Sequence, residues 1–237
     1  MADPIRNDAG APAREPGEPL AEVAYARIKQ AIIDGTLRPG LLGSEQQIAL
    51  KLSMSRTPVH QAIVKLSQEG WVELIPKRGI RISALSSAEM RDVYEALMAL
   101  EIAGIRRLAE SDDLTRQRAV NALEHVCMAG DAALREGDLL AWAVADDDFH
   151  RLLVEMCGNT HLSRLARSIM EQAQRARLLT LKLRPTPTAS NDDHHAIVQA
   201  IAHRDADSAA GHLKHHREHG MATLLPILDA IQPGRPT

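Results

Sequence analysis

Aromatic side chains are nearly missing from this sequence: Phe, Tyr and Trp together make up 2% of 237 residues. That scarcity argues against nucleic-acid readers that stack bases on aromatic platforms, such as RRM or OB modules. Cysteine is equally sparse. Cys127 and Cys157 are too few for a disulfide framework and fit a reducing, cytoplasmic setting. No apolar run approaches the roughly 20 residues of a membrane span, and the first nineteen residues show no basic-then-apolar signal pattern. There is no HExxH, no nucleophile motif and no repeat at solenoid periods. What remains is an ordinary globular composition, 45% hydrophobic and 25% charged, with eleven histidines, ten of them after residue 86.

A net charge of −3 does not by itself point to nucleic acid, but the charge is unevenly divided. Residues 20–85 hold nine Lys and Arg against five Asp and Glu, a net of +4. Residues 1–19 carry −2 and residues 86–237 carry −5. A basic module ahead of an acidic one is the asymmetry of a DNA-contacting head on a sensing body. The organisation expected is a disordered leader over 1–19, a head over 20–85, a helical body over 86–225 and a tail over 226–237.

Within the head, helical periodicity runs from Leu20 through Val23, Ile28 and Ile32 to a stop at Gly35. Arg38-Pro39-Gly40 is a turn. Ser44 with Gln47 forms a capping box ahead of Ile48 and Leu52. Ser55 is the N-cap of a third helix, with Pro58 tolerated in its first turn and Val59, Ile63 and Leu66 on its apolar face. Two β-prone runs follow, Trp71–Ile75 and Ile80–Ser83, joined by Pro76-Lys77-Arg78-Gly79. Three helices and a basic-tipped hairpin spell a winged helix-turn-helix.

The second helix of such a motif enters the major groove with its N-terminal residues against base edges. Here it begins Ser55-Arg56-Thr57-Pro58-Val59-His60. Arg56 supplies the fork for a guanine or a phosphate, and Ser55 and Thr57 sit where phosphate oxygens are taken. Lys77, Arg78 and Gly79 form the hairpin tip that reaches a neighbouring groove, and Lys51 and Lys65 would add phosphate contacts.

Beyond residue 85 the periodicity is helical throughout, over about 86–110 (opened by Ser86 and Glu89 as a capping box), 113–136, 138–157, 159–183, 191–203 and 205–224. The fold expected is therefore mainly α: a winged helix-turn-helix followed by an antiparallel all-α bundle. Asp146 and His150 lie four apart on the stripe of Leu139, Trp142, Ala143 and Leu153; His194 shares a face with Ile197, Val198 and Ile201; His216 lies below Ala209 and Leu213. Buried and unpaired, one Asp and three imidazoles would be expensive, and a shared divalent cation resolves that cost. The donor set suits Zn²⁺ first, with Ni²⁺, Mn²⁺ or Fe²⁺ as alternatives. His212, one turn before His216, is the rival ligand; His195, His203, His215 and His219 fall off the stripes and are expected at the surface.

Two regions, the head and the body, each carry a family resemblance. Ile33-Asp34-Gly35-Thr36-Leu37-Arg38-Pro39-Gly40, Ser55-Arg56-Thr57-Pro58-Val59 and Glu69-Gly70-Trp71-Val72-Glu73 resemble the N-terminal domain of GntR-family bacterial transcription regulators. Asp146-Asp147-Asp148-Phe149-His150, Gly158-Asn159, His194-His195-Ala196-Ile197 and His216 resemble the FCD ligand-binding domain of the FadR-like subgroup. The resemblance implies that Asp146, His150, His194 and His216 hold a metal ion and that a small organic acid completes its coordination, aided by a buried arginine. Three positions depart from the family pattern. Gln46 and His60 stand where DNA-contacting arginines are common, and Leu97 stands where many relatives carry an inward arginine. Arg175 and Arg177 are the remaining candidates for that inward cation, so Arg175, Arg177 and Leu97 are the expected effector-site positions.

The function expected is a cytoplasmic homodimeric repressor, not an enzyme, that binds a palindromic double-stranded operator and answers to a carboxylate effector at a metal site. A metal-dependent hydrolase on a helical bundle is the alternative, with Asp147 or Asp148 as its candidate base. A metal-structured helical adaptor is a third reading.

Overall fold

The computed structural model describes residues 19–231. The leader expected over 1–19 therefore lies, apart from Pro19, outside the described residues, as does the end of the expected tail, 232–237. The chain divides into two units, Met1–Ala84 and Leu85–Thr237.

The head contains α1 (Leu20–Ile33), β1 (Leu42–Gly43), α2 (Glu45–Lys51), α3 (Arg56–Gln68), β2 (Val72–Ile75) and β3 (Gly79–Ile82). The three strands form one antiparallel sheet in the order β1-β3-β2, with Val72 opposite Ile82 and Leu42 opposite Arg81. Only the β2–β3 hairpin was legible as strand; β1, two residues long, carries no periodicity. Ala24, Ile28 and Ile32 of α1 meet the helix-turn-helix core of Val59, Ile63 and Leu66, with Trp71, Val72, Ile80 and Ile82 closing it from the sheet. Burying each such large aliphatic side chain contributes roughly 1.5–3 kcal/mol. At the start of α2 both halves of the capping box form: Ser44 Oγ accepts from Gln47 N at 3.1 Å, and Ser44 N donates to Gln47 Oε1 at 2.8 Å. Ser55 occupies the N-cap of α3 in extended geometry but makes no side-chain cap bond. Gly79 is required at the hairpin. Its φ is +99°, and a Cβ there would run into the backbone carbonyl of Gly43 on β1.

The body contains six α-helices among the described residues: α4 (Ser87–Glu110), α5 (Asp113–Glu136), α6 (Leu139–Glu155), α7 (Thr160–Thr180), α8 (Thr188–Ala202) and α9 (Ala206–Ile231). A 3-10 turn at Leu181–Leu183 follows α7. Side-chain caps open α4 to α7: Ser86 accepts from Glu89 N, Asp112 from Thr115 N, Asp138 from Leu140 N and Ala141 N, and Asn159 from His161 N and Leu162 N. α4 packs against α6, α7 and α9, while α5 lies against α6 and α8. The core that results runs from Met90, Leu97, Ile105 and Leu108 of α4 to Phe149 and Leu153 of α6 and Leu213 of α9. No described helix is long and apolar enough to cross a membrane.

Two boundaries move. α8 starts at Thr188, directly after Pro187, rather than at 191. The last helix does not stop near 224 but runs to Ile231, so the tail expected from 226 begins as helix. Pro226 lies inside it. Buried Leu224, Leu225 and Leu228 carry the apolar stripe past the proline, and their packing outweighs the single backbone bond that Pro226 cannot make.

Candidate functional site

On the head, α3 offers an exposed N-terminal edge. Ser55, Arg56, Thr57 and His60 are exposed, whereas Pro58 and Val59 are buried and hold the helix against the core. Gln46 and Lys51 are exposed on α2, and Lys77 and Arg78 are exposed at the hairpin tip. His60 is not free: its Nδ1 lies 2.9 Å from Glu45 Oε1, which ties the first turn of α3 to the first turn of α2. Lys65 does not join this surface. Its ammonium pairs with Glu22 of α1 at 2.9 Å and sits 4.1 Å from the centre of the Tyr25 ring, so it braces α1 against α3.

In the body, three helices send donors to one point. Asp146 and His150, one turn apart on α6, meet His194 of α8 and His216 of α9, and one donor atom from each lies within 4.8 Å of every other. All four are buried, at 7% exposure or less. His150 Nε2 is 3.1 Å from His216 Nε2, His194 Nε2 is 3.4 Å from His216 Nε2, and His194 Nε2 is 3.7 Å from Asp146 Oδ1. Zn–N bonds of 2.0–2.1 Å at tetrahedral angles separate neighbouring donors by about 3.3 Å. The separations of 3.1, 3.4 and 3.7 Å are close to that value, and all four donor atoms lie within 4.8 Å of one another. His194 is steadied by stacking on Phe149, with centroids 3.9 Å apart.

The electrostatics suit a cation. Burial alone would raise the Asp146 carboxyl, but Arg177, 3.0 Å away, holds it well below the usual carboxylate range. Burial pushes the imidazoles of His150 and His194 well below their ordinary value, so both are neutral lone-pair donors near pH 7. A buried Asp/His₃ cluster able to hold a metal ion is thus present.

The remaining expected residues separate. Arg177 is buried beside the cluster, paired with Asp146 and, at 3.6 Å, with Asp147. Arg175 is also buried, but its charge faces Glu89 of α4 rather than the cluster, and burial lowers its pKa to about 10. Leu97 is fully buried in the hydrophobic core. His212, although one turn before His216 on the same helix, is exposed and is not among the clustered donors. His203, His215 and His219 are exposed, but His195 is half-buried against Asp131 at 3.0 Å rather than freely solvated. Asp147 and Asp148, the bases of the hydrolase reading, face Arg177 and Arg151 instead.

Two functional-site neighbours were not anticipated. Glu101 of α4 is fully buried, lies 2.9 Å from His150 Nδ1, and receives two N–H groups from Arg217 of α9. The signal was there: Glu101 interrupts the apolar stripe of Leu97, Ile105 and Leu108, and Arg217 follows an inward histidine.

A basic winged helix-turn-helix joined to a helical domain with a buried donor cluster is the architecture of a DNA-binding regulator. The comparisons with known proteins agree. Residues 92–219 match the FCD domain and residues 20–82 match the bacterial regulatory proteins of the gntR family. An HTH-type transcriptional regulator from the TAR-I ttuE–ttuC′ intergenic region of Agrobacterium vitis is 41% identical over 154 residues, covering 60% of this chain and 90% of that protein. The HTH-type transcriptional repressor RspR of Escherichia coli K12 is 24% identical over 201 residues, 85% of this chain and 87% of its own. A GntR regulator from Rhodococcus sp. RHA1 has the same fold at 23% identity, with a TM-score of 0.73 over 87% of this chain and 97% of that one. This chain belongs to the GntR family and carries an FCD domain; it is a DNA-binding transcriptional regulator, not an enzyme.

Proposed function

We propose that this regulator is a homodimeric repressor whose operator affinity is set by a small organic acid bound at a metal centre in the FCD domain. The observation that carries the reading is the meeting of Asp146, His150, His194 and His216, from three helices, in a buried cluster with metal-like donor spacing. These four residues would hold the cation, with Zn²⁺ the best match and Ni²⁺, Mn²⁺ and Fe²⁺ suited to the same donors. When bound, it supplies a Lewis-acidic anchor for a carboxylate. Arg177 stands beside that anchor with its guanidinium facing Asp146 and Asp147, placed to orient an acidic ligand. Arg175 lies on the same helix, and Leu97 leaves the α4 wall apolar where relatives carry a cation; both belong to the effector reading through their positions alone.

On the head, Arg56 reads a base or phosphate at the start of α3, flanked by Ser55, Thr57 and His60. Gln46, Lys77, Arg78 and Gly79 extend the contact along the groove and backbone. Two-fold symmetry would set two such heads on the half-sites of a palindrome. An effector that binds one state of the dimer better than the other lowers operator affinity by that difference. Repression is supported by the relative named as a repressor.

The test joins both halves. Metal analysis by mass spectrometry should find about one divalent ion per chain in the wild type and none in His194→Ala. Equal, negligible content in both refutes the metal centre. Fluorescence-anisotropy titrations should show steep salt dependence and preference for a palindromic operator. Arg56→Ala should lose about 1–3 kcal/mol of that preference, a factor of roughly 5 to 150. A variant that still discriminates its operator as well as wild type shows the contact assignment to be wrong.

A further inference from the structure

Glu101 sits in the middle of α4 with no exposed surface. Two groups face it. Arg217 of α9 donates Nε–H to Oε2 at 2.7 Å and Nη2–H to Oε1, and His150 of α6 brings Nδ1 to 2.9 Å from Oε1. The opposite ring nitrogen of His150, Nε2, is the one turned toward His216 in the donor cluster. A neutral imidazole presents a lone pair at Nε2 only when its proton is on Nδ1, and an acceptor placed at Nδ1 decides which nitrogen carries it.

We propose that Glu101 is the positioning residue of the metal centre: it holds His150 in the Nδ1–H form and strengthens Nε2 as a donor to a divalent cation. The inference rests on the metal reading above. A counter-ion for Arg217 would need only the two-pronged guanidinium contact, yet Oε1 also lies within reach of the ring. The arginine contacts Glu101 and also lies over the face of Tyr94, its guanidinium carbon 5.5 Å from the ring centre. The Glu101–His150 contact is short but off the straight line of a full hydrogen bond.

The other ligands are held differently, which singles out Glu101. His216 has Asp193 Oδ2 only at 3.7 Å from its Nδ1, and that carboxylate is partly exposed. His194 relies on its stack against Phe149. A carboxylate behind a ligating histidine typically contributes 10–100-fold in metal affinity, and the shorter, fully buried contact should carry the larger share.

The test is Co²⁺ titration of the full-length chain by visible absorption, in competition with a chelator, alongside ¹⁵N NMR of the histidine rings. Wild type should bind Co²⁺, and its His150 should show Nδ1–H before metal is added. Glu101→Gln should weaken Co²⁺ binding tenfold or more and shift the absorption bands. Because Glu101→Gln leaves Arg217 without its counter-charge, the double variant Glu101→Gln with Arg217→Met removes both charges. It should show the same loss of affinity with a metal-free melting temperature above that of the single variant. Leu123→Ala, a core cavity on α5, should lose stability while keeping Co²⁺ affinity. Either Glu101 variant binding Co²⁺ within twofold of wild type, Leu123→Ala weakening it as much, or an Nε2–H tautomer at His150 overturns the proposal. A wild type that takes up no Co²⁺ refutes the metal centre itself, and the role of Glu101 with it.

Discussion

The two halves of this regulator differ in how far their candidate site residues are exposed to solvent. On the head, Arg56, Thr57, His60, Lys77 and Arg78 are exposed, and the core beneath them is purely apolar, from Ile28 to Ile82. In the body, Glu101, Asp146, His150, His194 and Arg217 are all buried, and charge is part of what fills the interior. The contrast has an energetic meaning. An exposed contact residue can change with little effect on folding, because water solvates it in either state. A buried charge is balanced by partners that only the folded chain supplies, so changing it alters stability and site together.

The largest effect that sharpens this contrast is expected from Arg217→Ala. It strands the Glu101 carboxylate without its cation, and urea denaturation should register a loss of about 3–5 kcal/mol. A loss under about 1 kcal/mol would break the contrast, since Glu101 would then need no partner. Next comes Gly104→Ala, where α4 runs close against α6 and an added Cβ would stand 2.9 Å from the Leu153 carbonyl oxygen. Forcing that contact apart should cost about 1–3 kcal/mol by the same measurement. Ser44→Ala removes the capping box of α2 and should cost about 1 kcal/mol, a test of how far local bonds alone hold the head. Smallest of all, Arg56→Ala should leave thermal stability within about 0.5 kcal/mol of wild type although it is expected to weaken operator binding. A larger drop in its melting transition would mean the head, too, builds function into its fold.

Legibility followed the range of the interaction. The capping box at Ser44 and Gln47 and the cap of Ser86 on Glu89 join residues three apart, and such bonds can be read directly from order and residue type. The four clustered donors were readable as inward-facing because each shares an apolar helical stripe. Periodicity says which way a side chain faces, but not which other helix it meets. It was silent on the division of labour between Arg175 and Arg177. Two positions apart on α7, they differ by about 200° around the helix, and only the packing of α4 and α6 against that helix decides which one reaches Asp146. β1 was missed because two residues of strand exist only through pairing with β3. The run of α9 past Pro226 was missed because a proline ends a helix in isolation, and only buried neighbours carry it onward.

The amino-acid order by itself determined the helices, their caps, the inward stripes and the charge divide between the two units, since all of these arise within a few turns of chain. Tertiary structure alone decided that Glu101 and Arg217, 116 residues apart, share one ion pair behind His150. No local rule could bring them together. Their meeting depends on where α4, α6 and α9 cross, and that is set by the packing of the whole interior.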